Sequence, residues 1–124
     1  MNQRLVSYLE KRGVCDETYI AYLCDSPIDR PFELCSVNGF DFMVSYFLDG
    51  SERIGYGLIP TNAALKTDCG NKMSIGLIEG DDVICLEIPS GKISLWMIQT
   101  GNGEFFEVAD SFDLFLKMCC PANT

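Results

Sequence analysis

Apolar residues recur first at helical and then at strand spacing along this chain. In "RLVSYLEKR", residues 4–12, Leu5, Tyr8 and Leu9 stand at i, i+3 and i+4, a helical stripe that Gly13 closes. Asp16 is a suitable N-cap for "ETYIAYLC", where Tyr19 with Leu23 and Ile20 with Cys24 repeat every four residues, and Asp25-Ser26-Pro27 ends this second helix. From Phe32 the period shortens. "FELCSV", the dipeptide Asn38-Gly39, "FDFMVSYFL" and Asp49-Gly50 read as strand, tight turn, strand and turn. "RIGYGLI" sets Ile54, Tyr56 and Leu58 against Gly55 and Gly57, the alternation of a further strand stopped by Pro60, and "MSIGLIE" repeats it with Met73, Ile75 and Leu77.

"DDVICLEIPSGKISLW", residues 81–96, is a hairpin: two apolar runs joined by Pro89-Ser90-Gly91-Lys92. Ile84, Leu86 and Ile88 share one face and Val83, Cys85 and Glu87 the other, while Ile93, Leu95 and Met97 alternate with Ser94, Trp96 and Ile98. Apolar side chains on both faces predict a central place in the sheet, with helices over one face. "EFFEV" reads as a short final strand. "ADSFDLFLKMCC" reads as an amphipathic helix with Asp110 as N-cap, Asp113 three residues on, and a stripe of Phe112, Phe115, Leu116 and Cys119, stopped by Pro121. N-terminal helices, a central antiparallel β-sheet of about five or six strands, and a C-terminal amphipathic helix packed on the sheet predict an α+β fold in a single domain, residues 1–124.

The totals narrow the function. Hydrophobic residues make up 48% and charged residues 22% of the 124, enough apolar surface for a core without disulfide staples. Nine Lys plus Arg stand against 18 Asp plus Glu, and with no His the net charge is -9. That field repels phosphate, and no basic cluster offsets it, so neither nucleic acid nor an anionic membrane surface is an expected partner. Acidity either keeps the protein soluble or steers it to a basic partner. Seven cysteines, an odd number, and early charges at Arg4, Glu10, Lys11 and Arg12 that interrupt any leader-like run predict a cytoplasmic protein with reduced thiols. Cys24, Cys35, Cys85 and Cys119 read as small buried hydrophobes. No run approaches a membrane span.

The absence of histidine removes Ser-His-Asp and Cys-His nucleophile activation, imidazole acid–base catalysis and imidazole metal sites. Cys15 stands among the acids Asp16 and Glu17, which raise a thiol pKa, and no C-x-x-C pair offers a zinc site. Gly55-Tyr56-Gly57 and Gly101-Asn102-Gly103 lack the third glycine and the following helix of a phosphate loop. Glu79, Asp81 and Asp82 allow three readings: a divalent-cation site lacking its usual loop pattern, a solvated acidic turn, or a receiver for Lys and Arg of a partner. Trp96 reads as core in preference to interface.

The order "YGLIP", "MSIGLIEGDDVICLEIPSGKISLW", "VADSFDLFL" resembles the SUKH superfamily, which groups fungal cell-wall-synthesis regulators with bacterial immunity proteins. Ile75-Gly76, Gly80-Asp81, Ile84-Cys85-Leu86-Glu87, Gly91-Lys92, Trp96 and Val108-Ala109-Asp110-Ser111-Phe112 through Leu116 stand at the matching places, over roughly residues 54–117. The family's aspartate is Glu87 here, and Cys15-Asp16 stands where its Leu-Pro is expected. The resemblance implies a non-enzymatic immunity protein that binds and neutralises a basic, nucleic-acid-targeting toxin domain, with no cofactor and no metal. The alternatives are an intracellular regulatory or scaffold domain, as the fungal members imply, and a carboxylate-based enzyme. A monomer with Asp49, Glu79, Asp81 and Asp82 at strand ends and turns, and Tyr46 and Tyr56 as aromatic anchors, is the expected toxin-binding surface.

Overall fold

The computed structural model describes the backbone of residues 3–25, 32–37 and 40–121, and side chains over 3–23 and 41–119. Two helices open the chain, α1 (Gln3–Arg12) and α2 (Glu17–Asp25). Leu5 and Leu9 bury the α1 stripe, and the Tyr19 N–H donates to Asp16 Oδ1 at 3.0 Å, so Asp16 caps α2 as its sequence position predicts. Its other oxygen accepts from the Phe112 N–H at 3.2 Å, which ties the start of α2 to the start of the last helix.

Strands β1 (Phe32–Val37) and β2 (Phe40–Phe42) pair with the C-terminal strand β8 (Cys119–Pro121) in a three-stranded sheet of order β2-β1-β8. A second, five-stranded sheet runs in chain order: β3 (Val44–Phe47), β4 (Lys72–Ile78), β5 (Val83–Glu87), β6 (Ile93–Trp96) and β7 (Phe105–Ala109), every pair antiparallel. The predicted hairpin is β5–β6, with Val83 opposite Trp96 and Leu86 opposite Ile93, and β5 is the middle strand. The α+β class and the antiparallel meander are as the sequence predicts.

Three elements differ. "FDFMVSYFL" is two strands in different sheets: Phe42 and Val44 are both buried, while Met43 between them is exposed and carries the chain from one sheet to the other. "RIGYGLI" is no strand. Residues 54–56 form a turn and Leu58 begins α3 (Leu58–Leu65), in which Pro60 occupies the first turn, where its missing N–H is no loss. Gly57 is required there because a Cβ would lie 1.9 Å from the Ser51 carbonyl oxygen. The last helix, α4 (Phe112–Met118), is capped by Ser111, whose Oγ accepts from the Leu114 N–H at 3.2 Å, in place of Asp110; it ends before Cys119 because residues 119–121 pair with β1.

One core joins these parts. Phe112 is fully buried, with ring centroids of Tyr19, Tyr22 and Phe47 at 5.0, 5.2 and 5.6 Å in edge-on contact, so α2, α4 and β3 meet on one side chain. On β4, α3 contributes a buried polar knot. Asn62 Nδ2 donates to the carbonyls of Leu58 (2.8 Å) and Ser74 (2.9 Å), and its Oδ1 accepts from the Ser74 N–H (2.8 Å) and the Thr67 hydroxyl (2.7 Å). Thr67 thus spends its proton on Asn62, and the Ser74 hydroxyl 2.8 Å away must donate to it.

Among the described residues, cysteine usage departs from expectation at Cys119. Cys85 is a buried thiol, which burial pushes up to about 12, and Cys15 and Cys69 are exposed thiols. Cys119 is buried as expected but disulfide-bonded, not reduced. The Asn38-Gly39 turn, the Ser26-Pro27 helix stop and the side chains of Cys24 and Cys35 lie outside the described residues.

Candidate functional site

The β4–β5 connection organises the surface with the most distinctive chemistry. A tight 3-10 turn, Glu79–Asp81, joins the strands, with Gly80 at φ 80° and Asp81 at φ 66°. Two successive left-handed residues need glycine or a short polar side chain, which Gly80-Asp81 supplies. A Cβ on Gly80 would sit 2.8 Å from Thr100 Cγ2, so the turn lies directly against the β6–β7 connection. Glu79 anchors the other flank by donating its N–H to the Met43 carbonyl at 2.9 Å.

Between these flanks is an open groove of about 430 Å³. Its floor is apolar, made of Phe42, Ile78 and Met97, all buried. Asp41 and Glu79, both exposed, stand at its rim. Among the described residues neither carboxylate has an ion pair or hydrogen bond, and none of those lining the groove is basic. The described ion pairs, Arg4–Glu52, Lys72–Glu87, Lys92–Glu107 and Lys117–Asp113, all lie elsewhere.

Asp82 closes the groove's end beside Thr100 and is 1% exposed. Its Oδ1 accepts from the N–H groups of Gln99 (2.7 Å) and Thr100 (3.1 Å), and its Oδ2 from the Thr100 hydroxyl. Burial by itself would raise this carboxyl, but the Thr100 hydroxyl and the two backbone donors outweigh it and hold the group below the usual aspartate range.

On the far side of the turn, Tyr46 and Tyr56 stack with centroids 5.3 Å apart, and the Tyr46 hydroxyl donates to the Gly55 carbonyl at 2.7 Å. Burial, then Tyr56, then the negative charge of Asp81 raise the Tyr46 phenol, which places Asp81 within electrostatic reach of the pair. Arg53 lies over Tyr56, 4.6 Å from its centroid. Tyr56 (46%), Ile54 (72%) and Met43 (44%) add exposed apolar area.

Of the residues singled out by sequence, the structure gathers Glu79, Asp81, Tyr46 and Tyr56 around one turn. Asp49 and Asp82 are engaged within the fold: half-buried Asp49 accepts from the Ser51 N–H through Oδ1 at 2.8 Å and its backbone braces the loop to Gly57 and Leu58, while buried Asp82 is a structural carboxylate. Asp41, Phe42, Met97 and Thr100 were not singled out, since the groove is assembled from β2, the 79–82 turn and the 98–100 turn, which only the strand order brings together. Trp96 is half-buried, stacked on Phe105 at 5.6 Å, with Nε1 donating to the Gly103 carbonyl at 3.2 Å.

Among the described residues no group of three or more His, Cys, Asp and Glu side chains is placed to hold a metal ion, and no helix is long and apolar enough to cross a membrane. Comparison with protein-family models, with curated proteins and with solved structures finds no match to this chain.

Proposed function

We propose that the protein is a non-enzymatic immunity protein, which binds a basic toxin domain that acts on nucleic acid and neutralises it stoichiometrically. The observation that carries this reading is the juxtaposition of carboxylates uncompensated among the described residues, Asp41, Glu79 and Asp81, with a tyrosine pair and an apolar groove at one end of the five-stranded sheet. Carboxylates without partners of their own keep their charge for another molecule, and aromatic and aliphatic area beside them supplies the desolvated centre that a protein interface needs. A toxin that grips phosphate carries a basic cleft, and carboxylates on a rigid turn are placed to occupy it. The chain's net charge of -9 adds long-range steering to that contact, and the likeness of residues 54–117 to the SUKH pattern agrees in kind.

Such a protein acts where the toxin acts, which for a nucleic-acid target is the cytoplasm. The Cys119 disulfide weighs in the other direction, toward an oxidising compartment, because disulfides are rare in reducing ones. Co-expression with a basic, nucleic-acid-targeting toxin domain, sought first as the product of an adjacent gene, tests the reading. Cells carrying both should grow, and cells carrying the toxin alone should not. Equal killing in the two, with both polypeptides present, would remove the immunity function.

A further inference from the structure

The groove itself names part of what the partner presents. We infer that it receives an arginine side chain of a partner protein, its aliphatic stem along Phe42, Ile78 and Met97 and its guanidinium between the Asp41 and Glu79 carboxylates. This deepens the proposed function and rests on it only for the partner's identity.

Charge and shape select the occupant together. An anion is repelled by a groove lined by three carboxylates and no cation. A hard cation such as Ca2+ or Mg2+ takes about six or more oxygen ligands, whereas the floor here is hydrocarbon, Asp82 has both oxygens committed to backbone and hydroxyl donors, and no metal-holding group exists among the described residues. A purely apolar segment would cover Asp41 and Glu79 without offering them a donor, at the cost of burying unpaired charge. A long side chain with a hydrocarbon stem and a cationic head satisfies both halves of the groove. Arginine is preferred to lysine because its planar fork carries five donors and reaches two carboxylates at once, where an ammonium is a point charge. The groove is also built before binding. Asp82 holds the 98–100 turn to the 79–82 turn, and Glu79 is pinned to Met43 by its backbone, so little ordering entropy is lost on docking.

The test is a nuclear magnetic resonance titration of the full chain with the peptide acetyl-Gly-Arg-Gly-amide, against the same peptide with neutral citrulline in place of arginine and with lysine in place of arginine. Saturable shifts should appear at the amides of Glu79, Gly80 and Thr100. Affinity should be at least about tenfold weaker for citrulline, as expected for loss of a charge-assisted contact, and should fall as salt rises from about 50 to about 500 mM. Asp41→Asn with Glu79→Gln should abolish the shifts while leaving the thermal midpoint in place, since neither carboxylate bonds to any of the described residues. Absence of saturable shifts, equal binding of citrulline, or unchanged binding by the double variant would overturn the inference. Lysine binding as tightly as arginine would overturn the choice of arginine. If the double variant loses the peptide yet still neutralises the toxin, the groove is not the toxin contact and the inference fails alone. If the groove binds arginine and no toxin is neutralised, the proposed function fails alone.

Discussion

Thr100 reaches the Asp82 carboxylate twice, through its backbone N–H at 3.1 Å to one oxygen and through its hydroxyl to the other. With the Gln99 N–H at 2.7 Å, these contacts make a buried carboxylate the clasp between two turns, its partners lying 17 and 18 residues further along the chain. Asp82→Ala leaves backbone N–H groups without an acceptor and should destabilise the fold by about 2 kcal/mol, read from urea unfolding, with loss of ordered amide signals at Gln99 and Thr100. A variant as stable as the parent would show that the clasp is dispensable.

The same carboxylate sets a pH dependence. Its pKa is depressed in the fold, so it binds a proton less readily folded than unfolded. The stability it contributes is therefore fully present above the unfolded aspartate pKa and is lost as pH falls through the lower, folded value. Unfolding free energy measured from neutral to strongly acidic pH should decline less steeply for Asp82→Asn than for the parent. Identical acid limbs would assign the decline to other carboxylates.

Phe112 is where three elements share one ring, so its truncation cannot be absorbed by a single neighbour moving. Phe112→Ala should cost about 3–5 kcal/mol. The Asn62 knot makes a polar counterpart: Asn62→Ala strips partners from the Ser74 N–H and the Thr67 hydroxyl and should cost about 3 kcal/mol, whereas a surface change such as Asp68→Ala should stay within about 0.5 kcal/mol.

Cysteine chemistry is open to a direct count. Under native conditions an alkylating reagent should modify Cys15 and Cys69, which are exposed, and spare Cys85, whose buried thiol stays protonated. Cys119 should become reactive only after reduction. Peptide mapping that finds Cys119 alkylated without reductant would restore the reduced state predicted from composition.

Local signals survived into the fold where one residue type had one job. Asp16 caps a helix, the Pro89–Lys92 linker turns a hairpin, and the Phe112 and Phe115 stripe meets the core, all as their spacing predicts. Signals failed where two structures share one pattern. The alternation of Ile54, Tyr56 and Leu58 imitates a strand, but the glycines between them fold a turn and Leu58 begins a helix that holds Pro60 in its first turn. The run through Phe42, Met43 and Val44 keeps its inside-out alternation while changing sheets, so nothing in it marks the crossing. Asp81 and Asp82 are identical letters with opposite surroundings, one exposed on a left-handed turn and one buried among donors. A double charge reversal of that pair would therefore report on folding as much as on binding. The groove was illegible because its walls come from three separated segments.

The informative surface pair is Glu79 with Asp81. Glu79→Lys combined with Asp81→Asn, the latter chosen because asparagine tolerates the left-handed backbone, should leave stability within about 0.5 kcal/mol. It should slow association with a basic partner by about tenfold at low salt and flatten the dependence of that rate on ionic strength. Unaltered kinetics would move the contact surface elsewhere.

The central proposal, that the chain works by covering a basic molecule, is tested most directly by titrating the purified protein into a fixed concentration of the toxin domain proposed as its partner while following nucleic-acid cleavage or modification. Activity should fall linearly and vanish near equimolar protein, with the substrate itself untouched by the inhibitor. Full toxin activity in excess protein, or inhibition at far below equimolar amounts that grows with time as the toxin is consumed, would contradict it.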